Sequence, residues 1–175
     1  VKACDYYHVS ADFILGRTLS RDGSMLTSEE VLGAAAPGNI LQGSVLATLQ
    51  SKLIGGAVGV LFSLLGKLGD RDAINSAGAY LSDGVYQLYR HLYRAAGANE
   101  DLFALGRGDF ALGLAHADMK LSEGRYVRAL DAQTAAKKDF PNLAPAALAE
   151  EFPGRNQSLN QVLGTADARV SKLAE

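Results

Sequence analysis

Leu53-Ile54-Gly55-Gly56-Ala57-Val58-Gly59-Val60-Leu61-Phe62-Ser63-Leu64-Leu65-Gly66 carries no charge, and its placement decides how the rest of the chain must be arranged. Around it, residues 40–69 form one predicted helix that Asn39 can cap, and Lys52 and Lys67 are its only charges. A segment this apolar lies either at the centre of a helical bundle or in lipid. Its uncharged part is shorter than the roughly 20 residues that span a bilayer, which points to a central core helix. Gly55, Gly59 and Ser63 recur every four residues, a small-residue ridge that lets a second helix backbone approach closely.

Outward from this helix the pattern stays helical. Alanine, leucine and glycine dominate, β-branched runs are absent, and no Asn-Gly or Asp-Gly turn joins two alternating segments. Upstream, a helix is predicted over residues 5–19. A capping-box pattern of Thr27 and Glu30 opens a shorter helix that Pro37 stops. Downstream, Asp70 is placed to cap a helix running to Gly97, with Ile74, Leu81, Val85, Leu88 and Leu92 as its core stripe. Asp72, Asp83, Arg90 and Arg94 fall on the other side. Asn99 introduces a helix over about 100–122, which Gly124 breaks. A further helix is predicted over 125–139, a short one near 145–151, and a last one from about Ser158. The expected architecture is all-α, a compact antiparallel helical bundle formed as one domain over residues 1–175, with a mostly buried central apolar helix.

Composition narrows the function classes. With 48% hydrophobic and 21% charged residues the chain can build a core, and 17 basic against 19 acidic residues supply no field for a nucleic-acid backbone. Cys4 is the only cysteine, so an intrachain disulfide and a cysteine-based zinc site are both excluded. The chain begins at Val1 rather than Met, which points to a processed or exported protein and leaves the compartment open.

Two groups of residues invite a functional interpretation. Tyr80, Tyr86, Tyr89 and Tyr93 lie within fifteen residues of one another, interleaved with Arg90, His91 and Arg94. Tyr86, Tyr89 and Tyr93 share one shoulder of the helix, and tyrosine with arginine is the pair that anchors protein interfaces. Tyr86, Tyr89, Arg90, Tyr93 and Arg94 are therefore the expected partner-binding residues. Asp109, Gly113, His116 and Lys120 recur at spacings of four, three and four, a polar stripe with an acid, a base and an ammonium. Seven residues along a helix separate Asp109 from His116 by about 10 Å, too far for a direct proton relay. No His-x3-His or Glu-x2-His pair is present to hold a metal, and no phosphate-binding glycine loop or nucleophile elbow occurs. No catalytic residue, metal or cofactor is assigned.

Residues 117–141 show Ala117, Gly124, Tyr126, Ala129, Ala136 and Pro141 at a spacing that resembles one tetratricopeptide helical hairpin. Gln133 stands where that family has a bulky apolar residue and His116 where it favours leucine, and the neighbouring segments do not repeat the pattern. The resemblance implies peptide or protein binding rather than catalysis. The expectation is thus a non-catalytic helical binding or assembly protein that engages a protein partner or a second copy of itself. Two alternatives are a carrier of a small apolar ligand in the bundle interior and a protein that associates with membranes through residues 45–66.

Overall fold

A computed structural model describes residues 44–174. The helices expected over 5–19 and from Thr27 to Pro37, together with Cys4, lie outside the described residues. The described residues form six α-helices and no strand: α1 (Val45–Leu68), α2 (Arg71–Ala95), α3 (Arg107–Ala111), α4 (Leu114–Ala135), α5 (Pro145–Glu151) and α6 (Arg155–Val170), with short 3-10 turns at Glu100–Leu102 and Ser171–Leu173. The all-α helical bundle expected from the sequence is the fold observed. The chain divides into two compact units, one built from residues up to Leu61 and from Asn142 onward, the other from Phe62 to Pro141.

In the first unit, Ser44 caps α1: its hydroxyl accepts the Ala47 N–H at 3.2 Å, which satisfies one of the free donors of the first turn, and the expected cap Asn39 lies outside the described residues. α1 and α6 pack antiparallel. They come close at Gly56, where a Cβ would lie 2.8 Å from the Ser158 side chain. Gly55 faces open space, and a Cβ on Gly59 would only touch Arg155 at 3.9 Å. The close-packing glycine is therefore one residue away from the predicted ridge of Gly55, Gly59 and Ser63. α1 buries Leu53, Ala57, Val60 and Leu65 and half-covers Val58, Leu61, Phe62 and Leu64, while Val45, Leu46 and Ile54 are exposed.

In the second unit, the Asp70 carboxylate caps α2 as predicted, accepting the Ala73 N–H at 2.7 Å. The helix closes at Gly97, whose positive φ of 71° lets the N–H groups of Gly97 and Ala98 reach the carbonyls of Arg94 and Tyr93. α2 and α4 make the main helix pair. Gln133 near the end of α4 donates to Asp70 at the start of α2, and Gln87 near the end of α2 donates to the Met119 sulfur, so the two run antiparallel.

The rotation of α2 overturns its predicted core stripe. Val85, Leu88 and Leu92 are 68%, 75% and 67% exposed, and Ile74 and Leu81 are only half-buried. The face turned inward carries Ala73, Ser76, Ala77, Gln87 and Arg90, against Ala115, Ser122 and Gln133 of α4. Small side chains on both helices allow close approach.

The chain from 100 to 139 also departs from expectation. Gly113, with φ 87°, interrupts the predicted helix and separates α3 from α4. Gly124 does not break α4. An exposed helical glycine costs only about 1 kcal/mol relative to alanine, which packing along 22 residues absorbs. α4 ends instead at Ala135, where Lys137 takes the left-handed conformation (φ 52°) and its N–H and that of Lys138 close onto the carbonyls of Thr134 and Gln133.

Candidate partner-binding site

The last three turns of α2 carry all five residues expected to bind a partner, and the structure divides them into a buried and an outward group. Arg90 is completely buried. Its Nε and Nη2 both donate to Glu100 Oε2 at 3.2 Å, and Nη1 donates to the Tyr86 hydroxyl at 2.7 Å. The guanidinium also lies 4.3 Å from the centre of the Phe110 ring and 4.8 Å from that of Phe103. A cation removed from water needs such compensation: a carboxylate to balance its charge and aromatic faces for the rest of its surface. Arg90 is therefore unavailable to a partner, which corrects its predicted role, and Tyr86 is committed to the same cluster.

The sequence places the other members of the cluster by simple means. Asn99 accepts the Asp101 N–H and shapes the 3-10 turn that presents Glu100. Phe103 follows on the same connection, and α3 supplies Phe110. Phe103 is an edge-to-face hub, with the Tyr93 ring at 5.3 Å and that of Tyr86 at 5.8 Å. Glu100, Phe103 and Phe110 were absent from the expected site. Their signal in the sequence was an acid ten residues beyond Arg90 and two phenylalanines seven apart, which linear spacing alone does not connect to it.

The outward group is Tyr89 and Arg94, while Tyr93 is half-buried against Phe103. Tyr89 is half-exposed, its ring 6.0 Å from Tyr93, and Arg94 is exposed at the helix end. Beside Tyr89 run Val85, Leu88 and Leu92, which form an uninterrupted apolar seam facing solvent.

The other expected polar site is not assembled. Asp109 lies on α3, His116 and Lys120 lie on α4 beyond the Gly113 break, and all three are exposed. Lys120 donates to Glu123 at 2.6 Å, and that hydrogen bond raises its pKa above the ordinary 10.5, so it stays an ammonium. Among the described residues no group of three or more His, Cys, Asp or Glu side chains could hold a metal.

Between α2 and α4 a cleft of about 350 Å³ is lined by Asp72, Ser76, Arg125, Arg128, Ala129 and Ala132. Farther along the same helix pair, burial and then the charge of Asp118 hold Asp83 above its ordinary pKa of 3.8, and its Oδ2 has no partner among the described residues. A carboxyl whose folded pKa is raised contributes stability below its unfolded pKa and loses it as pH rises through the folded value. Asp83→Asn is thus expected to raise the unfolding midpoint at neutral pH, with the gain shrinking as the solution is acidified below the carboxylate range. Thermal melts across that range would show it, and a gain independent of pH would refute the charge account.

No family model, curated protein or solved structure matches the chain.

Proposed function

We propose that this chain is a non-catalytic helical assembly protein that pairs with a second copy of itself through the outward seam of α2. What supports this reading is the exposure of Val85, Leu88 and Leu92. They continue Ile74 and Leu81 at the four-and-three spacing that a facing helix reads as a packing seam. Exposed apolar patches of this kind mark interaction surfaces. The seam is also self-complementary. Two α2 helices related by a two-fold axis near Leu88 and Tyr89 would set Val85 of each against Leu92 of the other, with no charge inside the contact. Tyr89 would add a rigid aromatic contact at the rim.

Sedimentation equilibrium of the wild type and of a Leu88→Glu/Leu92→Glu variant tests the proposal. The wild type is expected to dimerise at micromolar concentrations. The variant is expected to associate at least roughly a hundredfold more weakly, because two unpaired carboxylates would enter an apolar contact. Its helicity and urea midpoint should be unchanged, since both leucines face solvent in the free chain. A wild type that stays monomeric, or a variant that still dimerises, would overturn the assignment. Leu88 is a cleaner probe than Tyr93, whose ring packs on Phe103 and contributes to the fold.

A further inference from the structure

We infer that the cleft between α2 and α4 is a binding site for a small amino dicarboxylic acid, a ligand with two carboxylates and one ammonium, as free glutamate has. The inference is independent of the α2 seam, because Ser76 lies on the inward face of that helix and Val85, Leu88 and Leu92 on the outward one.

The cleft follows from two facing stripes. Asp72 and Ser76 are four residues apart on α2, and Arg125, Arg128, Ala129 and Ala132 recur at spacings of three, one and three on α4, so each set occupies one side of its helix. Ser76, Ala129 and Ala132 are too short to fill the space between the helices, whereas Asp72, Arg125 and Arg128 are exposed at its mouth. Next to these residues the two helices are tied together, where Gln133 donates to Asp70. The walls are therefore in place before a ligand arrives, which lowers the ordering cost of binding.

The charges of the two walls differ in sign and do not meet. α2 offers one carboxylate and α4 two guanidinium groups, yet no ion pair joins Asp72 to Arg125 or Arg128, and none of the three side chains has another partner among the described residues. Arg90 and Lys120, by contrast, each hold an acid. Opposite charges kept apart across about 350 Å³ leave room for a molecule that completes them. A simple anion would satisfy the arginines but face the Asp72 carboxylate, and a simple cation would do the reverse. An ammonium for Asp72 and two carboxylates for the guanidinium forks match both walls. The ligand's single net negative charge also balances the single net positive charge of the lining. Ser76, 8% exposed, adds a hydroxyl that can donate to a carboxylate.

Titration of the isotopically labelled 175-residue chain with L-glutamate at constant ionic strength tests the site through the amide shifts of Ser76, Ala129 and Ala132. Saturable shifts are expected with a dissociation constant of about 1 mM, since exposed charges each contribute modestly. Glutarate, which lacks the ammonium, and glutamine, which lacks the second carboxylate, are each expected to bind about tenfold more weakly. Asp72→Asn is expected to reverse the first preference, so that glutarate binds more tightly than glutamate. Arg125→Gln and Arg128→Gln should each weaken glutamate about tenfold. All three side chains are exposed, so the urea midpoints should stay close to that of the wild type. Shifts that do not saturate by about 20 mM glutamate would overturn the inference. So would equal affinity of the wild type for glutarate and glutamate, which would mean a simple anion site, or an Asp72→Asn chain that keeps the wild-type preference. Leu88→Glu/Leu92→Glu should bind glutamate normally, so failure here is distinguishable from failure of the α2 assignment.

Discussion

Replacing Arg90 by methionine is expected to lower the unfolding free energy by about 3–5 kcal/mol, the usual cost of removing one partner from a buried ion pair. Methionine restores much of the lost volume, so the effect reports the pair rather than a cavity. Among the described residues, Glu100 would keep Arg107 as its cation, whose Nε is 3.9 Å from its other oxygen and whose side chain is mostly exposed. Urea denaturation would measure the loss. Arg90→Lys should recover only part of it, because one ammonium cannot reach Glu100 and the Tyr86 hydroxyl in the fork geometry of a guanidinium. Combining Arg90→Met with Glu100→Gln should be milder than the sum of the single changes, since each charge is costly chiefly when left alone. A loss below about 1 kcal/mol for Arg90→Met would show that the cluster contributes little to stability.

The second large effect is expected at Gly56. Even a Cβ there meets Ser158 at 2.8 Å, so Gly56→Leu must push α6 away from α1, at a cost of about 3 kcal/mol or more. Gly55 is the internal control. Nothing lies within 4 Å of its Cβ position, and Gly55→Ala should stabilise α1 by about 0.5–1 kcal/mol through helix propensity alone. Effects of opposite sign at adjacent residues of one helix would be hard to obtain from anything but packing. Equal losses at both positions would place the closest approach elsewhere.

These two sites show what could be read from the sequence. The all-α class was legible because every long segment had helical apolar spacing and caps where expected. Asp70, Asn99 and Gly97 act as their residue types predict, and α5 occupies the predicted 145–151. The rotation of each helix was not legible. Periodicity marks Val85, Leu88 and Leu92 as one face of α2, and the inference that this face must point inward failed because a single buried cation, with its acid and aromatic partners, outweighed it. Such a cluster is assembled from three separate elements, and no local pattern links Arg90 to Glu100, Phe103 and Phe110. Gly56, rather than its neighbour Gly55, meets α6 for a related reason. A period of four identifies small residues on a common strip, but the neighbouring helix selects which strip it touches, and α6 selects Gly56. The polar stripe of Asp109, His116 and Lys120 assumed an unbroken helix, and Gly113 ends that assumption with one positive φ.

The raised carboxyl of Asp83 gives the α2–α4 pair its own response to acid. Burial and the neighbouring Asp118 charge both disfavour its ionised form, so taking up a proton there relieves a penalty that the folded chain carries at neutral pH.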